Sequence, residues 1–169
     1  ESLGIAIRPY ELDEFAPQAA IEAAIHEVNR DENVHGCLLF RPLPSFVDES
    51  HMCELLDPKK DIDGITLASL ASVFTDGHAG YPPATAAACI QLLDHYQVPL
   101  QGKHVVVVGR SLVVGKPVSM MLLRRNASVT ICHSKTENLA DIMRSADVVI
   151  CATGRARTFG AQFFGPGQT

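Results

Sequence analysis

The stretch from His104 to Pro117 (HVVVVGRSLVVGKP) constrains the fold of this chain more than any other segment. Its four consecutive valines, without polar alternation, indicate a strand buried on both faces, as in a parallel sheet. The apolar run breaks at Gly109 into a short loop, and a helical pattern begins near Gly115. A buried strand, a glycine turn and a helix start together place backbone N–H groups where a phosphate can bind. The stretch therefore predicts a nucleotide site on an α/β fold.

The residues around this loop alternate between strand and helix. We expect strands at His104–Val108, Ser128–Cys132 and Asp147–Cys151, and helices at Gly115–Arg125 and Glu137–Ser145. This β-α-β-α-β order is the building block of a Rossmann-like parallel sheet. The last five residues form a predicted turn, where a further strand would be expected.

The first half of the chain predicts a less regular, incomplete α/β substrate domain. Predicted strands lie at Leu3–Ile7 and Val34–Phe40, and predicted helices at Pro17–Asn29, Asp48–Leu56, Leu67–Phe74 and Ala86–Tyr96. Asp48 and Thr85 are the expected caps of two of these helices. Val98–Gly102 is the best candidate linker, so the predicted domains are residues 1–97 and 98–169.

Composition excludes several classes of function. A net charge of −5 and a pI near 5.8 argue against nucleic acid or an anionic membrane surface as the main partner. No apolar run approaches the roughly 20 residues that span a bilayer, and no signal peptide opens the sequence. The five cysteines form no C-x-x-C pair, which is typical of a reducing cytosol. The seven histidines lack ligand spacing, so we expect no metal site and a cytoplasmic protein.

The loop Gly109-Arg-Ser-Leu-Val-Val-Gly115 differs from the usual dinucleotide fingerprint G-x-G-x-x-G. Gly109 allows a tight turn, and Gly115 lets the helix start come close to the strand or to a ligand. The hydroxyl of Ser111 can donate to a phosphate oxygen, and Arg110 adds positive charge. These side chains favour an anionic cofactor.

A second segment indicates which dinucleotide is preferred. NAD sites usually carry an acidic residue about 20 positions beyond the loop, where it holds the ribose 2′-hydroxyl. Here the segment reads Cys132-His-Ser-Lys-Thr136, with no acid and with two groups that can carry positive charge, His133 and Lys135. A 2′-phosphate suits this segment, so NADP is favoured over NAD. The alternative is a helix cap at Ser134 or Thr136 with ordinary surface charge.

Four segments in order resemble one family of enzymes. They are Val34–Pro44 (VHGCLLFRPLP), Pro58–Gly64 (PKKDIDG), Gly109–Pro117 and Ala127–Thr136. Over essentially its whole length the chain resembles the methylenetetrahydrofolate dehydrogenase/cyclohydrolase family, the bifunctional FolD-type enzymes. The resemblance implies a homodimeric two-domain enzyme in which folate and NADP meet in a cleft between the domains. Such enzymes oxidise 5,10-methylene-tetrahydrofolate with NADP and hydrolyse the methenyl product to 10-formyl-tetrahydrofolate.

The resemblance also assigns roles to residues. It places the NADP phosphates at Arg110, Ser111 and Ser134, and the pterin ring at Asp63, the second Asp of Lys-Asp-x-Asp-Gly. A carboxylate can accept two hydrogen bonds from a 2-amino-pyrimidinone edge in a partly dry cleft. Taken alone, Asp61 and Asp63 also fit a solvated turn. The predicted cofactor-binding residues are Gly109, Arg110, Ser111, Gly115, His133 and Ser134.

The sequence departs from the family pattern at the catalytic residues. The family carries a Tyr-x-x-x-Lys pair upstream of this chain's first predicted strand, and the 169 residues contain no such pair. A lysine is needed there as a positioned proton-transfer group. Lys59 and Lys60 lie on a loop expected near the substrate, but nothing in the sequence shows that either substitutes.

Other departures lie around the expected cleft. Phe40 replaces a frequent Gln and is followed by Arg41, and Ala84 replaces the Cys of a Pro-Cys-Thr motif. A closing Pro-Gly-Gly-Val-Gly-Pro segment of the family does not occur. We therefore expect a fragment or a shortened relative, with exposed apolar surface and with little or no turnover.

Two alternatives remain open at this point. The chain could be a non-catalytic NADP-binding module derived from the same family. It could also be another Rossmann-type dehydrogenase, although the Lys-Asp-Ile-Asp-Gly loop disfavours that interpretation because a generic dehydrogenase does not require it.

Overall fold

A computed structural model describes residues 4–75, 77 and 79–169 of the chain. The elements in chain order are α1 (Gln18–Arg30), α2 (Glu49–Leu55), α3 (Leu67–Thr75), α4 (Ala84–His95), β1 (His104–Val108), α5 (Gly115–Arg124), β2 (Ser128–Cys132), α6 (Leu139–Arg144), β3 (Val148–Cys151) and a short 3-10 helix (Ala161–Phe163). No helix among these described residues is long and apolar enough to cross a bilayer.

The second half folds around a parallel sheet with the strand order β2-β1-β3. Val106 of the central strand lies opposite Thr130 on one side and Val149 on the other. Strands that run parallel need crossover connections, which α5 and α6 supply. The predicted α/β class with a Rossmann-like sheet is therefore confirmed.

The valine run of β1 is buried on both faces, as predicted. Val105 and Val107 pack in one apolar cluster with residues of α4 and α5, whereas Val106 and Val108 pack with Met143 of α6 on the opposite face. All four valines are at most 2% exposed. Because successive side chains of a strand alternate between faces, four apolar residues in a row imply a covered sheet.

The predicted strands of the first half are wrong. Val34–Phe40 makes a single parallel bridge, Cys37 to Asp61, in which the Cys37 N–H donates to the Lys60 carbonyl at 2.7 Å. Leu3 lies outside the described residues, and residues 4–7 form no strand, with Ile5 and Ile7 62% and 77% exposed. A strand is stabilised by the ladder of a neighbouring strand, and neither segment has one among the described residues.

The core of the first half lies between α1 and α2. Its buried members are Ile21, Ile25, Val28, Val47, Met52 and Leu56. The carboxylate of Asp48 accepts from the His51 N–H at 3.0 Å, so the predicted cap of α2 is confirmed. Of this pair, α2 forms one wall of the site described below.

Two predicted helix starts are shifted. Thr85 lies inside α4, which begins at Ala84 after Pro83, because the two preceding prolines hold the chain extended up to that residue. Helix α6 begins at Leu139 and not at the predicted Glu137. Asn138 has a φ of +53°, so the right-handed helix cannot extend through it toward Glu137.

The two halves are in direct contact. The guanidinium of Arg124 on α5 donates to the carbonyls of Ser72 and Val73 on α3, at 2.8 and 2.7 Å. Ile90 of α4 and Leu100 of the Val98–Gly102 connection pack in the apolar cluster of the sheet. The boundary at residue 97 stays a prediction.

Candidate functional site

The cofactor loop leaves the carboxyl end of β1 at Gly109. This residue has a φ of +134°, in the region that favours glycine, and a Cβ there would collide with the carbonyl oxygen of Ala152 after β3. The Gly109 N–H donates to the Cys132 carbonyl at 2.8 Å, which joins the loop to the end of β2. The loop thus lies at the carboxyl edge of the sheet, where open α/β folds bind their ligands.

The start of α5 packs directly on this loop. A Cβ on Gly115 would collide with the carbonyl oxygen of Gly109, so only glycine allows so close an approach. The Ser111 hydroxyl accepts from the N–H groups of Val114 and Gly115, at 3.1 and 3.5 Å. Because these contacts use its oxygen as an acceptor, the O–H hydrogen is left to donate, as a phosphate ligand requires.

The segment after β2 forms its own turn. The Nδ1 atom of His133 accepts from the Lys135 N–H at 3.1 Å, and the Thr136 hydroxyl accepts from the His133 N–H at 2.9 Å. An accepting Nδ1 carries no proton, so the neutral imidazole is protonated on Nε2. Ser134 and Lys135 are exposed. Thr136 closes this turn and does not cap α6, which argues against the helix-cap alternative.

The glycine-rich loop and the segment after β2 fit a phosphorylated dinucleotide. Arg110 and Ser134 are both exposed, and within the described part of the chain neither side chain has a hydrogen bond or an ion pair. The predicted cofactor-binding residues therefore come together around one sheet edge, although their roles stay predictions.

Replacing Gly115 with Ala is expected to weaken dinucleotide binding by at least about tenfold and to lower the melting temperature. The added methyl group would push α5 away from the Gly109 carbonyl and distort the loop. Thermal unfolding and cofactor titration check the prediction. Gly102→Ala is the control for cofactor binding, since a Cβ at Gly102 meets nothing within 4 Å. A Gly115→Ala protein that binds cofactor normally would contradict it.

Asp61 is a structural residue. It is 0% exposed, and its carboxylate accepts from the Ser69 hydroxyl at 2.6 Å and from the Ile65 and Thr66 N–H groups at 3.0 and 2.9 Å. Burial raises the pKa of this carboxyl, but the hydrogen bonds lower it by more, so the pKa lies below its ordinary value. The solvated-turn interpretation is therefore wrong for Asp61, which ties the loop to the start of α3.

Asp63 lies two residues further along, beside an open cleft. The following Gly64 has a φ of +68°, and a Cβ on it would lie 2.5 Å from the Pro83 nitrogen. The Asp63 carbonyl accepts from the Ala84 N–H at 3.3 Å, at the start of α4. Close packing of the loop against Pro83 thus positions Asp63 at the cleft.

The cleft has a volume of about 260 Å³ and is formed by both halves of the chain. Its lining includes Arg41, Glu49, Cys53, Glu54, Asp63, Leu67, Pro83, Leu112 and Val113. Leu112 and Val113 belong to the cofactor loop, so that loop reaches the cleft that contains Asp63.

The three carboxylates of the cleft differ in their partners. Glu49 accepts from the Leu43 N–H and Glu54 from the Leu67 N–H, both at 2.8 Å. The Asp63 carboxylate accepts no hydrogen bond from the described residues. Asp63 is therefore the carboxylate of the described lining whose two oxygens are both free to accept from a ligand.

Lys60 is used elsewhere in the fold. Its ammonium group donates to the carbonyls of Val28, Asn29 and Asp31, at 2.7, 3.0 and 2.8 Å. These carbonyls close the carboxyl end of α1, where a cation is favoured. No local pattern predicts this capping role, since the partners lie about 30 residues away along the chain.

Sequence reasoning also missed a cation in the cleft. Arg41 lines the cleft, and its side chain is 25% exposed. The neighbouring Phe40, which replaces the family's frequent Gln, is 82% exposed and does not line it. Within the described ranges, no group of three or more His, Cys, Asp or Glu residues is arranged to hold a metal ion.

Residues 83–169 match the family described as "Tetrahydrofolate dehydrogenase/cyclohydrolase, NAD(P)-binding domain". Residues 1–63 match the catalytic domain of the same family. The Bifunctional protein FolD of Carboxydothermus hydrogenoformans is 44% identical over 168 residues, which cover 99% of this chain and 58% of that protein. The chain thus spans little more than half the length of such relatives.

Solved structures agree with the sequence matches. The bifunctional enzyme FolD from Campylobacter jejuni superposes with a TM-score of 0.88 at 33% identity, over 92% of this chain and 55% of that one. The methylenetetrahydrofolate dehydrogenase-cyclohydrolase of Trypanosoma brucei was solved with NADP and an inhibitor. It superposes with a TM-score of 0.78 at 32% identity, over 84% of this chain and 49% of that one. The cofactor loop, the Lys-Asp-Ile-Asp-Gly loop and these matches together show that the chain belongs to the tetrahydrofolate dehydrogenase/cyclohydrolase family.

Proposed function

We propose that this chain supplies the folate cleft and the dinucleotide site of an NADP-dependent 5,10-methylene-tetrahydrofolate dehydrogenase and 5,10-methenyl-tetrahydrofolate cyclohydrolase. The observation that carries the proposal is that Asp63 and two residues of the cofactor loop, Leu112 and Val113, line one cleft. Hydride transfer requires the two reacting carbons to be held in contact, away from bulk water. A shared cleft between the two sites meets this requirement.

Asp63 is proposed to bind the pterin ring. Its free carboxylate can accept from the 2-amino group and from the neighbouring ring N–H, which form a pair of parallel donors. The apolar side chains of Leu112 and Val113 line the same cleft and can cover the ring faces of a bound pterin. In this way the chain orients the substrate toward the cofactor loop.

The carboxyl edge of the sheet is proposed to bind NADP, which when bound supplies the acceptor for the hydride. Gly109 and Gly115 shape the loop, while Arg110, Ser111, His133 and Ser134 provide positive charge and hydrogen-bond donors for phosphate oxygens. The Trypanosoma brucei relative was solved with NADP, which supports the choice of cofactor.

The proposal assigns no catalytic lysine within these 169 residues. The sequence contains no Tyr-x-x-x-Lys, and the ammonium group of Lys60 is occupied by three carbonyls. We therefore expect this chain to bind folate and NADP and to turn over little or no substrate. A non-catalytic NADP-binding module with a degenerate cleft would bind NADP alone.

Equilibrium titration of the 169-residue chain with NADP and with tetrahydrofolate tests the proposal. We expect saturable binding of both, and loss of tetrahydrofolate binding but not of NADP binding in Asp63→Asn, with Glu54→Gln as the matched cleft control. Absence of tetrahydrofolate binding would favour the non-catalytic module. A spectroscopic assay with methylene-tetrahydrofolate and NADP is expected to show little turnover, and robust turnover would contradict the role given to the missing lysine.

We also propose a cytoplasmic location and a homodimer. The five cysteines are all free thiols, which suits a reducing compartment. The dimer is the family expectation, and sedimentation of the purified chain measures it directly.

A further inference from the structure

We propose that Arg41 is a specificity-determining residue of the folate cleft, where its guanidinium donates to the carbonyl oxygen at ring carbon 4 of the pterin. The inference rests on the proposed function, because it concerns the same cleft. It adds a cleft residue to which the family resemblance assigns no role.

The first observation concerns the position of Arg41. It lines the cleft together with Asp63, on a segment tied to α2 by the hydrogen bond from the Leu43 N–H to Glu49 at 2.8 Å. The side chain of Arg41 is 25% exposed, so most of it is packed, although the residue as a whole is exposed. The fold therefore holds this cation in the cleft wall.

The second observation concerns the donors of Arg41. Its closest charged partner is Glu49, at 3.9 Å, which is too long for a hydrogen bond. The other carboxylate oxygen of Glu49 already accepts from the Leu43 N–H. A guanidinium has five N–H donors, and among the described residues none of those of Arg41 makes a hydrogen bond. Because most of the Arg41 side chain is packed while its donors are unused, a ligand that brings an acceptor into the cleft can pair with it.

The third observation is the match between the cleft and the ligand. A 2-amino-4-oxo pyrimidine edge presents two adjacent donors and then one acceptor. Asp63 offers free acceptors, and Arg41 offers free donors. In the described lining, Asp63 is the one carboxylate without a hydrogen bond, and Arg41 is the one cation without a hydrogen bond. Together the two residues satisfy the whole edge, and a cation prefers the carbonyl to an amino group at ring carbon 4.

Binding of folic acid and of its 4-amino analogue tests the inference. In the analogue, carbon 4 carries a donor in place of the acceptor, and the adjacent ring nitrogen has lost its hydrogen. For the wild-type chain we expect folic acid to bind about tenfold or more tightly than the analogue, since the amino group would face the Arg41 donors. In Arg41→Met, folic acid is expected to lose about tenfold in affinity while the analogue loses little, so the preference is expected to fall by about the same factor. Arg41→Lys, which keeps the charge but loses the planar fork, is expected to retain part of it.

Two controls separate the possible failures. NADP affinity measures whether Arg41→Met is folded and is expected to stay unchanged, and Arg125→Met removes a remote arginine that is paired with Asp94 at 2.6 Å. If the wild type binds folic acid and Arg41→Met keeps both its affinity and its preference, the role of Arg41 is overturned while the proposed function stands. If neither pteridine binds the wild type, the proposed folate cleft fails, and this inference fails with it.

Discussion

Replacing Asp61 with Asn is expected to lower the free energy of unfolding by about 2–4 kcal/mol, a large fraction of the stability of a small protein. The carboxylate accepts three hydrogen bonds in a site that is 0% exposed. The substitution replaces one accepting carboxylate oxygen with a donating NH₂ group. This group then faces N–H or O–H donors that have no other partner. Because these contacts hold the loop on α3, the cleft itself should loosen.

Chemical denaturation of the two aspartate variants measures the difference. Asp63→Asn is the matched control, since the same change two residues away removes no hydrogen bond made by the described residues and is expected to leave stability nearly unchanged. The two variants should therefore show opposite phenotypes, with stability lost at Asp61 and folate affinity lost at Asp63. Equal stability of the two proteins would contradict the structural role of Asp61.

The pH dependence of stability follows from the direction of the Asp61 pKa. The pKa of this carboxyl is lower in the folded chain than its ordinary value, through hydrogen bonds that outweigh burial. Its contribution to stability is therefore fully present above the ordinary pKa and is lost as the pH falls through the folded-state pKa. Unfolding measured from neutral to acidic pH is expected to show a steeper loss for the wild type than for Asp61→Asn.

Replacing Arg110 with Ala is expected to weaken NADP binding by roughly 1–3 kcal/mol, about 5-fold to 150-fold, and to affect NAD much less. Arg110 is exposed beside the sheet edge and has no ion pair within the described part of the chain, so its charge is available to a 2′-phosphate. An unphosphorylated ribose offers no charge for it to bind. The wild type should accordingly bind NADP more tightly than NAD.

Isothermal titration with the two dinucleotides measures this effect, with Arg125→Ala as the control. Arg125 follows the last residue of α5, at the opposite end of the helix from the loop, and is bound to Asp94 at 2.7 and 2.6 Å. A second variant, Ser134→Ala, is also expected to lower the preference for NADP over NAD. Equal affinities of the wild type for NADP and NAD would contradict both assignments.

Much of the second half could be predicted from the sequence because its elements are defined by local patterns. The valine run of β1 and the spacing of Gly109 and Gly115 predict strand, turn and helix from backbone sterics and from burial on two faces. Asp48, which precedes a helical pattern and can accept from its first N–H groups, was predictable for the same reason. Strand signals failed for residues 4–7 and 34–40, since a strand depends on partners that the local sequence does not contain.

The sequence by itself determined the kind of fold, the family and the identity of the charged residues in each motif. Only the tertiary structure decided what those residues do. Lys60, Asp61 and Asp63 stand almost side by side in the chain, yet one caps α1, one is buried under three hydrogen bonds, and one faces the cleft. The reason is physical: the role of a charge depends on its burial and on which donors and acceptors surround it, and those partners come from distant segments.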